Sequence, residues 1–173
     1  MVEGDEDALA QEDYDLPTVP ASAGALIFDH QGRLLILRPT YKSGWTIPGG
    51  VMEADGETPW QACQREVHEE CGIDITSARL ACVDFRPPRP GHGGGIRFLF
   101  DCGELDDGIL STITLQSEEL AEHRLVPVRD ALALLRKPIR RRVQAVRMPD
   151  GRNRLPRCVY LENGRPVSAV PPG

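Results

Sequence analysis

Residues 50 to 73 read GVMEADGETPWQACQREVHEECGI, and the rest of the chain is best understood from this stretch outward. Thr58-Pro59-Trp60-Gln61 is a helix start. The Thr58 hydroxyl can take a free amide, Pro59 suits the first helical position, and Gln61 stands where a capping-box partner would. Gly72 falls where a helix stops, and no breaker lies between. Within this helix Glu66, Glu69 and Glu70 follow the i, i+3, i+4 spacing that sets three carboxylates on one face. Trp60, Cys63, Val67 and Cys71 fall on the adjacent face, spaced to bury. Three like charges on one face repel unless something cancels them, and a helix that needed only solubility would alternate signs. Two readings follow. One is a solvated acidic face. The other is a grip for hard divalent cations, Mg²⁺ or Mn²⁺, which take carboxylate oxygens and keep waters for substrate phosphates.

The neighbours of those glutamates carry a resemblance. Gly50, Glu57, Arg65-Glu66-Val67, Glu69-Glu70 and Gly72-Ile73 resemble the signature of the Nudix hydrolase family. That pattern runs Gly, five residues, Glu, seven residues, Arg-Glu-aliphatic, one residue, Glu-Glu, one residue, Gly-aliphatic. From Glu57 onward the match is complete. One departure exists: six residues separate Gly50 from Glu57, the extra one lying in the Ala54-Asp55-Gly56 turn, which leaves the position of Glu57 open. Trp45-Thr46-Ile47-Pro48-Gly49-Gly50 also resembles the family's entry into this box. The resemblance implies an α/β fold, an α/β/α sandwich with a central mixed sheet. It implies a metal-dependent hydrolase that cleaves the phosphoanhydride of a nucleoside diphosphate linked to another moiety, by attack of water on phosphorus. Glu66 and Glu70 would be metal ligands, with Glu69 sharing the shell and a backbone carbonyl at Gly50 completing it. Arg65 would hold Glu66 in position. Residues 116 to 128 resemble the family's late acidic loop and the strand after it, so Glu118 or, in preference, Glu119 would add a carboxylate. The general base would be Glu69 or Glu119; the plainer alternative for the late acids is a solvated turn. Homodimers are common in the family. The competing reading is a binding or regulatory module that kept the fold and lost the chemistry. Such a module is expected to lose a box glutamate or Arg65, and all of them are present.

Composition sets the outer bounds. The chain of 173 residues suits one domain with tails. Its net charge of −6 argues against a duplex nucleic-acid binder. It has no apolar run long enough to span a membrane, and the acidic N-terminus does not resemble a signal peptide. The five cysteines, at 63, 71, 82, 102 and 158, are scattered with no CxxC pair. That predicts buried thiols in a reducing compartment and a cytoplasmic protein. Residues 1 to 20 hold seven acids and no Lys or Arg and read as a disordered acidic tail. The resemblance implies a Nudix hydrolase domain over residues 21 to 148, and 149 to 173 are expected to form a basic C-terminal extension in which Asn163-Gly164 suits the turn of a small hairpin.

Residues 21 to 38 read as two strands about the turn Asp29-His30-Gln31-Gly32, with His30 exposed. In the loop that follows, Tyr41 and Trp45 either stack on a base or staple the loop to the core, the structural role being favoured for Trp45. A strand is expected over 80 to 85, then a loop rich in Pro and Gly carrying Arg86, Arg89 and His92. That loop is either a basic lip over a phosphate-bearing substrate or a surface hairpin. The alternation from Ile96 to Cys102 predicts a half-buried strand with Arg97 facing either the substrate cleft or solvent. Trp45, Arg89 and Arg97 are thus the candidate substrate contacts, and the substrate itself a nucleotide-type small molecule. Residues 104 to 111 read as a turn-rich link, and 113 to 115 as a short strand. A second helix begins at Val128 and is interrupted by Pro138. From Arg136 to Arg165 ten Lys and Arg stand against two acids, which suits steering of an anionic substrate, a nucleic-acid contact or a match with the acidic N-terminal tail, the favoured reading being a solvated basic face on the last two helical turns.

Overall fold

Two neighbouring strands built from unbroken apolar residues must be covered on both faces. Ala25-Leu26-Ile27-Phe28 and Leu34-Leu35-Ile36-Leu37 are such runs, and all eight side chains are buried. In the computed structural model, which describes residues 18–91, 93–146 and 158–167, they belong to strands β1 (Ala21–Phe28) and β2 (Arg33–Pro39). Strand β3 (Gly49–Val51), helix α1 (Pro59–Cys71), and strands β4 (Arg79–Arg86) and β5 (Gly95–Glu104) follow. Next come the short helix α2 (Asp107–Leu110), strand β6 (Leu120–Pro127), helices α3 (Val128–Leu134) and α4 (Lys137–Val146), and strands β7 (Val159–Glu162) and β8 (Arg165–Pro166). The strands form one mixed sheet in the order β6-β2-β1-β5-β4-β7-β8, with β3 paired to β1. β1 runs parallel to β5, and β4 parallel to β7; the other pairs are antiparallel.

Each face of the sheet has its own core. Ala23, Ala25 and Ile27 of β1, with Leu35 and Leu37 of β2, pack with Ala62, Cys63, Val67 and Cys71 of α1. Leu26, Phe28, Leu34 and Ile36 point the other way and pack with Ala131 of α3 and Ile139, Val143 and Val146 of α4. The period-two alternation of the strands sorts one apolar run into two layers. The result is the α/β/α sandwich expected from the sequence. The four cysteines Cys63, Cys71, Cys82 and Cys102 are buried free thiols, and Cys158 is an exposed one. Among the described residues no helix is long and apolar enough to cross a membrane.

Several local expectations need correction. Residues 113 to 115 are not a strand. Thr114 N donates to Cys71 O (2.9 Å) and Gln116 N to Glu70 O (3.4 Å), so this segment spends its amides on the carbonyls that the end of α1 leaves open. The preceding link contains α2, started by Asp106, whose carboxylate accepts from Gly108 N at 2.7 Å. The basic stretch after Arg136 is not wholly a solvated face. Arg142 is largely buried and its Nε donates to Asp84 Oδ2 at 2.6 Å, while Asp84 Oδ1 accepts from Gly164 N at 2.8 Å. Asn163 and Gly164 both adopt positive φ, 53° and 72°, at the turn between β7 and β8. The acidic residues 1–17, His92 and the arginines at 147, 152, 154 and 157 lie outside the described residues.

The β1–β2 turn is fixed by Asp29, which is fully buried. Its carboxylate accepts from Gln31 N (3.0 Å), Arg33 N (2.8 Å) and Arg33 Nε (2.6 Å). Burial works to raise its pKa, but the Arg33 amide and guanidinium together hold it below the ordinary 3.8. A carboxylate with a depressed folded pKa stabilises the fold above its unfolded pKa, and that contribution is lost as pH falls through the folded value. Asp29→Asn should therefore cost about 1–2 kcal/mol at pH 7. In urea unfolding, the gap between variant and wild type should narrow as the pH is lowered below about 4.

Candidate active site

Helix α1 begins and ends where its sequence dictates. Gln61 N donates to Thr58 Oγ1 (3.2 Å) and Thr58 N to Gln61 Oε1 (2.9 Å), a reciprocal capping box. Gly72 closes the helix at φ 68°, its N–H donating to His68 O. Cys63, Val67 and Cys71 are fully buried against β1, and the Trp60 ring meets Phe100 with centroids 5.2 Å apart. This apolar contact fixes the rotation of the helix, and with it the direction of the acidic residues. Glu66 and Glu70 are turned toward the β3 backbone.

The contact there is close. Glu70 Oε2 accepts from Gly49 N at 2.7 Å. At Gly49 φ is 140°, and a Cβ would collide with the Ala23 carbonyl, so the chain is pressed against β1 where only glycine fits. A Cβ on Gly50 would fall inside the Glu66 carboxylate. Burial pushes the Glu70 pKa up to about 8; the Gly49 amide opposes this, while the charges of Glu66 and Glu119 add to it. Glu66 is likewise raised, by burial first, with Arg65 opposing and Glu69 and Glu119 adding. The charge of Glu119, on the turn before β6, bears on both. That turn is tied to Thr40, whose N–H donates to Glu119 O at 2.8 Å and whose hydroxyl donates to Glu118 O at 2.9 Å.

Arg65 organises the remaining carboxylates. Its Nε and one terminal nitrogen donate to Glu57 at 2.7 and 3.1 Å. The other terminal nitrogen donates to Glu66 and Glu69, each at 3.0 Å, while Val51 O accepts at 3.1 Å from the terminal nitrogen bound to Glu57. The bond to Glu57 does most to hold the guanidinium in its charged form, and in return Arg65 keeps the Glu57 pKa below its ordinary value. The extra residue between Gly50 and Glu57 is absorbed in the turn, with Gly56 at φ 92°. There Glu57 N donates to Asp55 Oδ1 at 3.1 Å and Glu53 N to Glu57 Oε2 at 2.8 Å. Glu57 is therefore a member of the cluster, a place that its spacing from Gly50 does not fix.

Among the described residues no group of three or more acidic, histidine or cysteine side chains is placed to hold a metal ion by itself. The donor set nevertheless suits a hard cation. Two carboxylates crowd a glycine backbone, and a third acid adds its charge. Mg²⁺ typically takes one or two carboxylates and keeps its other positions for water and phosphate.

Beside Gly49 and Gly50 opens a cleft of about 260 Å³, floored by β1 and β5 and bordered by the start of α4. Of the three candidate substrate contacts, only Arg97 lines it. Trp45 is a core residue: it is buried, Arg124 lies over its ring at 4.7 Å, and its carbonyl accepts from Arg136 N at 3.0 Å. Arg89 is exposed and donates to Asn163 Oδ1 at 3.1 Å. Arg86, Arg136 and Arg142 line the cleft instead. In the sequence these three stand out only as a loop charge and part of a basic run.

A family model described as the NUDIX domain matches residues 18–146. The chain belongs to the NUDIX family. Its NUDIX domain is 32% identical over 103 residues to the 8-oxo-dGDP phosphatase NUDT18 of Danio rerio, covering 58% of this chain and 30% of that protein. It is 40% identical over 73 residues to a MutT-like protein of Streptomyces ambofaciens, covering 42% of this chain and 47% of that one. Both matches span less than half of the relative's length. Among solved structures, the MutT protein from Methanosarcina mazei Go1 has a TM-score of 0.60 at 26% identity, covering 73% of this chain and 91% of that one.

The cost of burying Glu70 beside other carboxylates is measurable in the metal-free NUDIX domain. A folded pKa raised from 4.5 to about 8 gives stability that is full below 4.5 and lost as pH rises to about 8. In EDTA the melting temperature should fall over that window, and Glu70→Gln, which still offers an oxygen to Gly49 N, should flatten the fall. Added Mg²⁺ should raise the melting temperature of the wild type at pH 8 more than that of the variant.

Proposed function

We propose that this protein is a metal-dependent hydrolase of a phosphoanhydride bond in a nucleoside diphosphate linked to another moiety. The observation that carries this reading is the packing of the Glu66 and Glu70 carboxylates against Gly49-Gly50 at the edge of a cationic cleft. Relatives support the class. Besides the 8-oxo-dGDP phosphatase, they include an 8-oxo-dGTP diphosphatase of Proteus vulgaris, 42% identical over 62 residues, and an RNA pyrophosphohydrolase of Pseudoalteromonas translucida, 40% identical over 53. A module that had lost its chemistry is disfavoured, because Arg65 is engaged with Glu57, Glu66 and Glu69.

Glu66 and Glu70 would hold Mg²⁺ or Mn²⁺, with Glu69 sharing the shell and the Gly50 carbonyl as a backbone donor. Such a cation, when bound, cancels charge on the anhydride oxygens and makes a water easier to deprotonate. Arg65 acts through others: it fixes Glu66 and Glu69 in place and cannot lose its own proton under working conditions. Proton acceptance falls to Glu119 ahead of Glu69, since an oxygen of Glu69 is already engaged by Arg65. Glu119 sits on a turn held by three bonds from Thr40, so its approach to the cluster is set by backbone rather than by side-chain packing. Arg97 faces the cleft and would take part of the substrate's negative charge.

Glu66→Gln and Glu70→Gln should each lower kcat at saturating Mg²⁺ by at least about a hundredfold without unfolding the protein. The wild type should release a mononucleotide from substrates of this class. Turnover in H₂¹⁸O, read by mass spectrometry of the products, should place the label on one phosphate only and so identify the phosphorus attacked. Unchanged turnover in both glutamine variants would sink the assignment.

A further inference from the structure

The cleft beside Gly49-Gly50 is lined by Arg86, Arg97, Arg136 and Arg142 and by no Asp or Glu. Glu66 and Glu70 contact the same two glycines but do not line it. Asp84 lies behind the arginines, fully buried, and is already engaged by Arg142 Nε and Gly164 N. It offsets one of the four positive charges. Among the described residues no carboxylate comes within ion-pair distance of Arg86, Arg97 or Arg136. Arg97 instead donates to the backbone carbonyls of Ile96 (3.1 Å), Gly94 (3.2 Å) and Pro20 (3.5 Å). Burial, and then the neighbouring charges of Arg142 and Arg86, work against its charged form. The Nε of Arg136 is buried with no hydrogen-bond partner among the described residues. The first turn of α4, with Pro138 and Ile139, borders the same space, and the positive end of a helix favours an anion there.

Arginines confined in a pocket without acids repel one another, and a buried donor without an acceptor is costly. Both conditions are relieved by one ligand chemistry, a dianion with several acceptor oxygens. A neutral base or sugar would leave the charges uncancelled. We infer that this arginine-lined cleft binds a phosphomonoester, so that the substrate carries a second phosphate group away from the anhydride that is cleaved. This rests on the proposed hydrolase reading, and it narrows the substrate class to nucleoside diphosphate compounds bearing an additional phosphate.

Matched pairs that differ only in that phosphate test it: coenzyme A against dephospho-coenzyme A, and ADP-ribose 2′-phosphate against ADP-ribose. Two readouts are needed: kcat/KM with Mg²⁺ for the wild type, and dissociation constants by calorimetry for Glu70→Gln. The phosphorylated member of at least one pair should be favoured by about tenfold or more in both. Arg97→Gln and, separately, Arg86→Gln should bring that ratio toward one; the second variant covers the case in which the first does not fold. Equal treatment of both members of both pairs, absence of binding by all four compounds, or a preference that survives both arginine substitutions would overturn the inference. Selective binding without cleavage of any compound would overturn the hydrolase reading and leave the phosphate site standing. Cleavage without selectivity would do the reverse.

Discussion

The 2.7 Å hydrogen bond from the Gly49 amide to Glu70 joins the two halves of the site. On one side is a helix whose rotation is set by Cys63, Val67 and Cys71 in the core. On the other is a strand segment pressed so tightly against β1 that no side chain fits at Gly49. A carboxylate this buried is unfavourable by itself, and a single amide does not compensate it. The fold holds it there through apolar packing elsewhere, which is how a stable scaffold sustains a locally unfavourable arrangement. Arg65 plays the complementary part. It gathers Glu57, Glu66 and Glu69 into one network and limits the repulsion that would otherwise spread along the helix face.

The parts of this architecture that depend on neighbours along the chain are legible in the amino-acid sequence. Thr58, Pro59, Gln61 and Gly72 define α1 by local hydrogen bonding, and the spacing of Glu66, Glu69 and Glu70 follows from helix geometry. The runs at 25–28 and 34–37 mark buried strands in the same way. What depends on distant partners is not legible. The segment 113–115 carries strand-like residues, yet its amides are claimed by the end of α1. Trp45 reads as a staple to the core in preference to a stacking platform, but its surroundings, Leu134, Arg124 and Arg136, come from distant parts of the chain that local sequence does not show. Arg89 looks as suitable as Arg86 for a substrate contact, but a three-residue offset on the loop sends it to Asn163 instead. The residue inserted before Glu57 leaves its position undetermined, because turns accommodate length changes in ways that spacing alone does not reveal.

Charge is divided about the Gly49-Gly50 backbone. Glu66 and Glu70 lie against it without lining the cleft, and the cleft beside it is lined by arginines. Substrates of the proposed class present negative charge throughout, so the two groups would engage it differently: one through an intervening cation, the other directly. Such a division orients a molecule that would otherwise have little to distinguish its two ends.

The parallel pairing of β7 with β4 has a further consequence. β4 would be a border strand if the chain stopped after α4, leaving a row of open amides and carbonyls along Cys82 to Phe85. Exposed borders of that kind recruit strands from other molecules. Here the β7–β8 hairpin covers that border and is pinned by the Gly164 amide on Asp84. The same carboxylate thus fastens down a protective flap and steadies a cleft arginine, so the covering of that border and the placing of Arg142 share one anchor.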